Sequence, residues 1–179
     1  MPQVTTPKQL FKHELQDMYY AEKTLATTLP KLAREATDPE LTRAFTAHQK
    51  ETEKHVSNLE KVFKQIGENA QAHPCPGIEG IKKEHDEFMK ENSPSDEMRD
   101  AFLTGAAARA EHYEIAAYTG LVNQARALGE REVVDLLQTN LRQEKEALKK
   151  VETISKRLLK ESNGNGTSKS SSRAKSASR

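Results

Sequence analysis

Apolar residues recur at every third or fourth position over most of the chain, the spacing that places side chains on one face of an α-helix. The pattern predicts four long helices, over residues 7–36, 39–66, 95–128 and 130–160. Pro30 lies inside the first segment, where we expect it to bend the helix without ending it. The chain is therefore predicted to be all-α.

Residues 68–95 interrupt this pattern. The stretch His-Pro-Cys-Pro-Gly at 73–77 is predicted to be non-helical, and only a short helix is predicted over 78–91. The other connections are short, and short connections make consecutive helices antiparallel neighbours. Two antiparallel hairpins joined by one long crossover form a four-helix bundle of the ferritin-like type, which is the predicted fold.

Each predicted helix carries ionisable residues within a stripe that should be apolar. On the fourth helix, for example, the predicted stripe is Val134, Leu137, Leu141, Glu144, Leu148 and Val151. These residues lie near the middle of each helix, and the midpoints of antiparallel helices share one level of a bundle. The candidate metal ligands are Glu22 on the first helix, His48, Glu51 and His55 on the second, Glu111 and Glu114 on the third, and Glu144 on the fourth.

Carboxylates buried together need an opposite charge, because removing each from water costs several kcal/mol. Lys54, Arg109 and Lys145 are predicted to point away from this level, so metal cations would have to supply the charge. Carboxylate and imidazole ligands without thiolate favour iron or manganese over structural zinc. A single glutamate or histidine in a helical seam more often sets the register or reaches solvent. The presence of such residues at the same level of all four helices instead favours a metal site.

The net charge of +1, from 28 basic and 27 acidic residues, is unevenly distributed. Residues 162–179 are rich in serine, glycine and asparagine and contain four basic and no acidic residues. Such a segment is predicted to be a disordered basic tail, following an acidic bundle domain over 1–161. The tail is also a weak candidate for binding nucleic acid or a partner, since its few charges have no interleaved aromatic residues.

The sequence contains no apolar run of about 18 residues that would span a membrane and no secretory signal. Its one cysteine, Cys75, excludes an internal disulfide framework and is expected to be structural. These features predict a cytoplasmic protein that binds no membrane. Among the other polar residues, His73 and His85 are expected at the surface.

Tyrosines flank the proposed site on two of the predicted helices. We expect them to be half-buried core residues whose hydroxyls have hydrogen-bond partners. A tyrosine beside an oxidising metal pair could also relay an electron. The three residues are Tyr19, Tyr113 and Tyr118.

Several of these stretches resemble the YciF/YciE-type ferritin-like stress proteins. The similar segments are 17–34, 44–63, 110–121 and 128–148, together with Cys75 in the crossover. The resemblance covers residues 7–160 in order. It implies a ferritin-like bundle with a di-iron-type centre, a ferroxidase-like activity linked to stress, and a homodimer.

The resemblance also supports individual ligands. It implies that the metal ligands include Glu22, His48, Glu51, Glu111, Glu114 and Glu144. The chain departs from the related pattern in two ways. Lys54 and Ala147 stand where a Glu-x-x-His motif would place histidines, so His48 or His55 must supply the nitrogen ligand. Leu148 stands where the family tends to carry an acidic residue.

These observations predict a carboxylate-bridged di-iron or di-manganese centre that oxidises Fe(II) with O2 or peroxide. Glu51 and either Glu114 or Glu111 are expected to bridge the two metals, with Glu22 and Glu144 as terminal ligands. Two alternatives stay open. One is a non-catalytic metal-binding or structural bundle, and the other is a stress protein that docks DNA or a partner through residues 162–179.

Overall fold

Five α-helices form the part of the chain that the computed structural model describes, residues 4–174, with side chains described for 4–163. The helices are α1 (Pro7–Glu35), α2 (Pro39–Gln65), α3 (Pro76–Asn92), α4 (Asp96–Ala127) and α5 (Arg131–Ala174). The four long predicted helices are confirmed, and α1 continues through Pro30. The backbone of α5 continues past the predicted end at residue 160. The predicted tail lies mostly outside the described side chains and stays a prediction.

The crossover contains more helix than its sequence predicts. Helix α3 begins at Pro76 and includes Gly77, although 73–77 was expected to be non-helical. Proline fits the first helical position because its missing N–H has no intrahelical partner there. The structure therefore corrects the predicted start of this helix by two residues.

Contacts between helices establish the topology. Helices α1 and α2 form one hairpin and α4 and α5 the other. The α1–α2 turn contacts the start of α4 through Thr37 and Asp100, whereas Asp17 near the start of α1 contacts Tyr113 further along α4. Neighbouring helices are therefore antiparallel, as the ferritin-like bundle requires. Helix α3 packs against α4 on the outside of the bundle.

Two apolar clusters form the core, one toward each end of the bundle. Phe11, Phe63 and Leu137 belong to the first cluster, and Phe45 and Val151 belong to the second. A polar band separates them at mid-height. Its buried residues are Glu22, His48, Thr52, His55, Glu111, Glu114, Asn140 and Glu144. The two clusters hold the helices together on both sides of this band.

Helices α2 and α4 each end just before a glycine. Gly67 has φ 74° and Gly129 has φ 79°, in the left-handed region that favours glycine. At each position the two residues after the C-cap donate hydrogen bonds back into the last turn of the helix, which is the Schellman arrangement. These turns set the direction in which the next segment leaves the bundle.

Gly129→Ala is expected to lower the free energy of unfolding by about 1–2 kcal/mol, because an L-residue is strained in this conformation. An added Cβ would meet nothing within 4 Å, so the loss would come from backbone strain alone. Urea unfolding of the metal-free protein measures it. Gly120→Ala is the control: Gly120 lies inside α4 with equally open surroundings, and the change should stabilise the helix by up to about 1 kcal/mol. Equal effects of the two changes would contradict this account.

Candidate metal centre

The polar band brings six of the seven predicted ligands together. Among the described side chains they form two overlapping groups, and in each group one potential ligand atom per residue lies within 4.8 Å of the others. The first group is His48, Glu111, Glu114 and Glu144, and the second is Glu22, His55 and Glu144. All six are buried, and Glu144 belongs to both groups. The geometry therefore offers two adjacent cation sites with a shared carboxylate.

In the first group, His48 projects from α2 toward the carboxylates. Its Nε2 lies 3.1 Å from Glu111 Oε1 and 3.5 Å from Glu144 Oε2. On the outer side its Nδ1 lies 3.4 Å from Glu51 Oε2. Glu51 therefore contacts the ring from the solvent side while Nε2 faces the centre.

In the second group, His55 Nδ1 lies 2.7 Å from Glu144 Oε1 and 3.2 Å from Glu22 Oε1. Its other ring nitrogen, Nε2, lies 3.0 Å from Gln143 Oε1. An amide oxygen only accepts hydrogen bonds, so Nε2 carries a proton. This contact leaves the Nδ1 lone pair of the neutral ring facing the two carboxylates, the arrangement of a metal-ligating histidine with an outer hydrogen-bond partner.

Several ligand atoms at this level have no hydrogen-bond partner although they are buried. They are Glu22 Oε2, His55 Nδ1, Glu111 Oε2, Glu114 Oε1 and both carboxylate oxygens of Glu144. His55 Nδ1 and Glu144 Oε1 face each other at 2.7 Å without the alignment of a hydrogen bond. An unpartnered buried polar group costs about 1–3 kcal/mol, and a charged one costs more. A cation between these atoms would satisfy them together.

Asp100 shows how the same fold treats a structural carboxylate. It is 3% exposed, as buried as the carboxylates of the centre. Thr37 N, Thr37 Oγ1 and Asp38 N donate hydrogen bonds to it at 2.9, 2.6 and 2.8 Å. The chain therefore satisfies a buried carboxylate where its role is to hold a turn. Among the described side chains, all the buried carboxylate oxygens without a hydrogen-bond partner belong to the proposed centre.

Burial and mutual repulsion raise the carboxyl pKa values at the centre. Burial raises the pKa of Glu114 well above its ordinary range, and the charges of Glu144, Glu22 and Glu111 add to it. Burial also raises the pKa of Glu22 and Glu144, although the nearby His55 ring opposes the shift. Without a metal, these groups therefore tend to bind protons.

The two histidines behave similarly. Burial alone would lower the pKa of His55, but the close carboxylates of Glu144 and Glu22 raise it to about 10. Burial would likewise lower the pKa of His48, but the charge and hydrogen bond of Glu111 raise it well above its ordinary value. These shifts favour the cationic form of both rings when no metal is bound. Protons thus partly replace the missing positive charge.

A buried chain of hydrogen bonds supports the second group. Asn58 donates to Asn140 Oδ1 at 2.8 Å, and Asn140 donates to the hydroxyl of Tyr118 at 2.9 Å. Tyr118 in turn donates to Glu22 Oε1, and burial raises the pKa of the tyrosine well above its ordinary value. Tyr118 is fully buried, more so than predicted. These hydrogen bonds orient Oε1 of Glu22 and leave its Oε2 without a partner.

Tyr19 and Tyr113 lie further from the centre. The Tyr19 hydroxyl donates to Glu60 at 2.9 Å, and that of Tyr113 donates to Asp17 at 3.1 Å. Tyr113 also lies 2.9 Å from the sulfur of buried Cys75. These contacts hold α1 against α2 and α4, and the predicted hydroxyl partners are present.

Glu51 lies on the rim of the centre. Its side chain is 41% exposed and lines a polar opening of about 190 Å³ together with Glu146, Lys150, His48 and Glu111. At 100° per residue, Glu51 lies about 60° around the helix from His48, away from the inward stripe. Glu144, predicted as a terminal ligand, is the residue shared by the two groups. Glu144, and not Glu51, thus belongs to both ligand groups.

The stability of the metal-free protein is expected to fall as the pH rises. The raised pKa of Glu22, Glu114 and Glu144 means that the folded state binds more protons than the unfolded state above pH about 4.5. His55 adds stability that is complete below pH about 6.5 and is lost toward pH 10. The raised pKa of His48 acts in the same direction. Both contributions therefore have the same sign.

Urea unfolding between pH 6 and 9 tests this expectation. The His55→Gln variant should show a shallower decrease because it removes the group whose pKa lies near 10. With Mn²⁺ bound, stability should instead rise with pH over this range, because the ligands must lose protons to bind the metal. A metal-free protein whose stability rises with pH would contradict the assignment.

Comparisons with known proteins agree with this fold and with the resemblance. The chain is 38% identical over 141 residues to Protein YciF of Escherichia coli K12, which covers 78% of this chain and 84% of YciF. The crystal structure of the E. coli stress protein YciF matches with a TM-score of 0.83 and 34% identity, over 88% of this chain and 99% of that one. YcfI of Rhodopseudomonas palustris matches with a TM-score of 0.81 and 39% identity, over 84% and 95% of the two chains.

A more distant structure, a protein from Xanthomonas campestris, shares the fold with a TM-score of 0.72 at 21% identity, over 90% of this chain and 99% of that one. Within the described residues, none of the helices is both long and apolar enough to cross a membrane. Residues 6–163 match the family described as Domain of unknown function (DUF892). The predicted YciF-type resemblance is confirmed, and the chain belongs to the DUF892 family.

Proposed function

We propose that this chain is a cytoplasmic metal-binding stress protein that holds two iron ions and oxidises Fe(II). The observation that carries the proposal is the pair of overlapping buried groups, whose unpartnered ligand atoms converge around Glu144. The stress role is proposed from the similarity to YciF, which is described as a stress protein.

The charge balance supports two cations. Glu22, Glu111, Glu114 and Glu144 would carry four negative charges when ionised. Among the described side chains, His48 and His55 form ion pairs with Glu22, Glu111 and Glu144. Two divalent cations neutralise four carboxylates when both imidazoles are neutral. One cation would leave two buried charges uncompensated, at a cost of several kcal/mol each.

The donor set fits iron and manganese. Oxygen ligands with one imidazole in each group suit both metals. When bound, a pair of Fe(II) ions supplies two electrons, enough to reduce dioxygen to hydrogen peroxide or hydrogen peroxide to water, with protons taken up from solvent. We propose iron as the metal that is oxidised, and manganese as a metal that binds in the same groups.

The side chains around the groups control charge and water. Gln143 holds the proton on the outer nitrogen of His55 and so keeps Nδ1 available. Tyr118 and Asn140 orient Glu22 from a fully buried position. The apolar clusters above and below exclude bulk water, which strengthens electrostatic interactions within the centre.

Glu51 suits the capture of cations from solvent. The hydrogen bond from His48 lowers the pKa of Glu51, with burial opposing the shift, so its carboxylate is charged at neutral pH. Its exposed position at the polar opening places that charge between solvent and the first group. We therefore assign Glu51 to cation uptake.

Anaerobic titration with Fe(II) should show two ions bound per wild-type chain. Glu144→Gln should reduce this number to one or fewer, because it weakens both groups at once. Glu152→Gln is a matched control: this glutamate lies two turns further along α5 and is exposed, so two ions should still bind. Wild-type protein that binds less than one ion would contradict the proposed centre.

Admitting oxygen to the loaded wild-type protein should consume O2 and produce the near-ultraviolet absorbance of Fe(III). The Glu144→Gln variant should oxidise Fe(II) no faster than buffer does. Two bound ions without oxygen uptake would instead identify a non-catalytic metal-binding protein and would overturn the oxidation step.

Glu51→Gln is expected to slow Fe(II) uptake while leaving two ions bound per chain at equilibrium. Removing the exposed charge lowers electrostatic attraction at the opening but removes no member of either buried group. Anaerobic stopped-flow measurement at low ionic strength gives the rate, and exposed Glu53 supplies the control variant Glu53→Gln. A lower number of bound ions in Glu51→Gln would mean that Glu51 is a resident ligand, as the sequence predicted.

A further inference from the structure

A second approach to the centre lies beneath the crossover helix. A cavity of about 50 Å³ lies between α1, α3 and α4. Ile78 and Ile81 of α3 form its outer wall, and Ala106, Ala107 and Ala110 of α4 form much of its inner wall. Leucines of α1 complete the lining, namely Leu25, Leu29 and Leu32.

The inner end of this cavity is the first ligand group. Glu111, Glu114 and His48 also line the space. Glu111 Oε2 and Glu114 Oε1 are unpartnered, and the two glutamates are only 3% and 1% exposed. A molecule in the cavity would therefore lie directly beside the group that we propose to hold a metal.

The remaining polar side chains of the lining are Thr24, Thr28, Lys82 and His85. Lys82 is partly exposed, and its Nζ lies 3.9 Å from Asp86 Oδ2. The Thr28 hydroxyl donates to the carbonyl of Thr24 at 2.8 Å. His85, expected at the surface, is only 8% exposed, and its ring nitrogens lie 2.9 Å from Glu35 and 3.0 Å from Asp86. The body of the cavity is thus apolar and suits an uncharged molecule.

This approach differs in chemistry from the opening at Glu51. That opening lies between α2 and α5, measures about 190 Å³ and is lined by Glu51, Glu146 and Lys150. Ions and polar molecules such as hydrogen peroxide are expected to prefer it. The cavity under α3 offers such molecules little compensation for the water they would lose.

The size of the cavity restricts its occupant further. One water molecule needs about 10–15 Å³ on this measure, so a space of about 50 Å³ holds only a few small molecules. Typical metabolite pockets are about 300–1,000 Å³. The cavity suits a diatomic gas in both size and polarity.

We propose that the cavity between α1, α3 and α4 binds dioxygen and presents it to the first ligand group. The consequence for oxidation rests on the proposed function, whereas binding of an apolar gas in the cavity does not. Dioxygen would thus reach the first ligand group by a route separate from the opening at Glu51, and the crossover helix would form the outer wall of the oxygen site.

Xenon provides a probe of the cavity that is independent of iron. Xenon enters apolar protein cavities of suitable size, and crystals of the wild-type protein pressurised with xenon should contain a xenon atom among the three helices. Ala107→Leu fills the space and should abolish this binding. Ala116→Leu places the same side chain at an exposed position of α4 and should not affect it. A wild-type cavity that takes up no xenon would overturn the proposal.

The oxidation kinetics then test the role of the cavity. In Ala107→Leu, the O2 concentration at half-maximal rate should increase severalfold, while oxidation by hydrogen peroxide and the anaerobic number of bound Fe(II) ions stay unchanged. If Ala107→Leu disturbs folding, Ala110→Val provides a smaller change in the same wall. It should increase the O2 concentration at half-maximal rate by a smaller factor.

The two levels of the hypothesis can fail separately. Wild-type protein that binds xenon but no Fe(II) would refute the metal centre and leave the cavity as a gas site without an oxidation role. If Ala107→Leu oxidises Fe(II) with the same dependence on O2 concentration as the wild-type protein, the oxygen site is refuted and the metal centre is not affected.

Discussion

The burial of four carboxylates at one level of the bundle is the constraint to which the surrounding structure responds. Ionised glutamates this close repel one another, and the apolar surroundings intensify the repulsion. The histidines can take up protons and offset part of the charge, but several carboxylate oxygens still have no partner. The metal-free fold is therefore destabilised at the position where a cation would be most strongly bound. Metal binding would add to the free energy of folding.

The ends of the bundle compensate for this strained middle. Apolar clusters lie on both sides of the polar band. At one end, Asp100 accepts three hydrogen bonds from the α1–α2 turn, and Arg157 of α5 contacts Asp38 in the same turn at 2.7 Å. All four long helices meet there. This arrangement separates the residues that hold the helices from those that form the centre, as expected for a site that costs stability.

Much of the fold could be predicted because helical periodicity is a local property. The centre could be predicted because a carboxylate in the middle of an apolar stripe conflicts with burial, and the conflict recurs on every long helix. Glu51 shows the limit of this reasoning. Its spacing from His48 is compatible with the stripe, but a rotation of about 60° places it on the rim, and only packing between helices decides which side of the stripe is buried.

Helix α5 shows the same limit more clearly. The predicted stripe contained Leu141 and Leu148, which are only partly buried, whereas Asn140 and Ala147 are fully within the core. Hydrophobicity favoured the leucines, but the centre needs a hydrogen-bond donor to Tyr118 and a small residue beside the polar opening. Gln143 carried no signal in the sequence either, because its importance arises from a partner 88 residues away. Residues that support a site are chosen by their neighbours in space, which a periodic pattern does not contain.

The crossover illustrates how connectivity can add chemistry to a symmetrical core. Four antiparallel helices alone would present similar grooves around the centre, but only the groove between α1 and α4 is covered by α3 among the described elements. That cover makes one approach apolar, and the opening beside Glu51 remains polar. Ions are disfavoured in the apolar cavity, and apolar molecules gain little from the polar opening. The two kinds of reactant can therefore reach the same ligand groups from different sides. The long connection between the hairpins thus determines the access to the centre as well as the topology of the bundle.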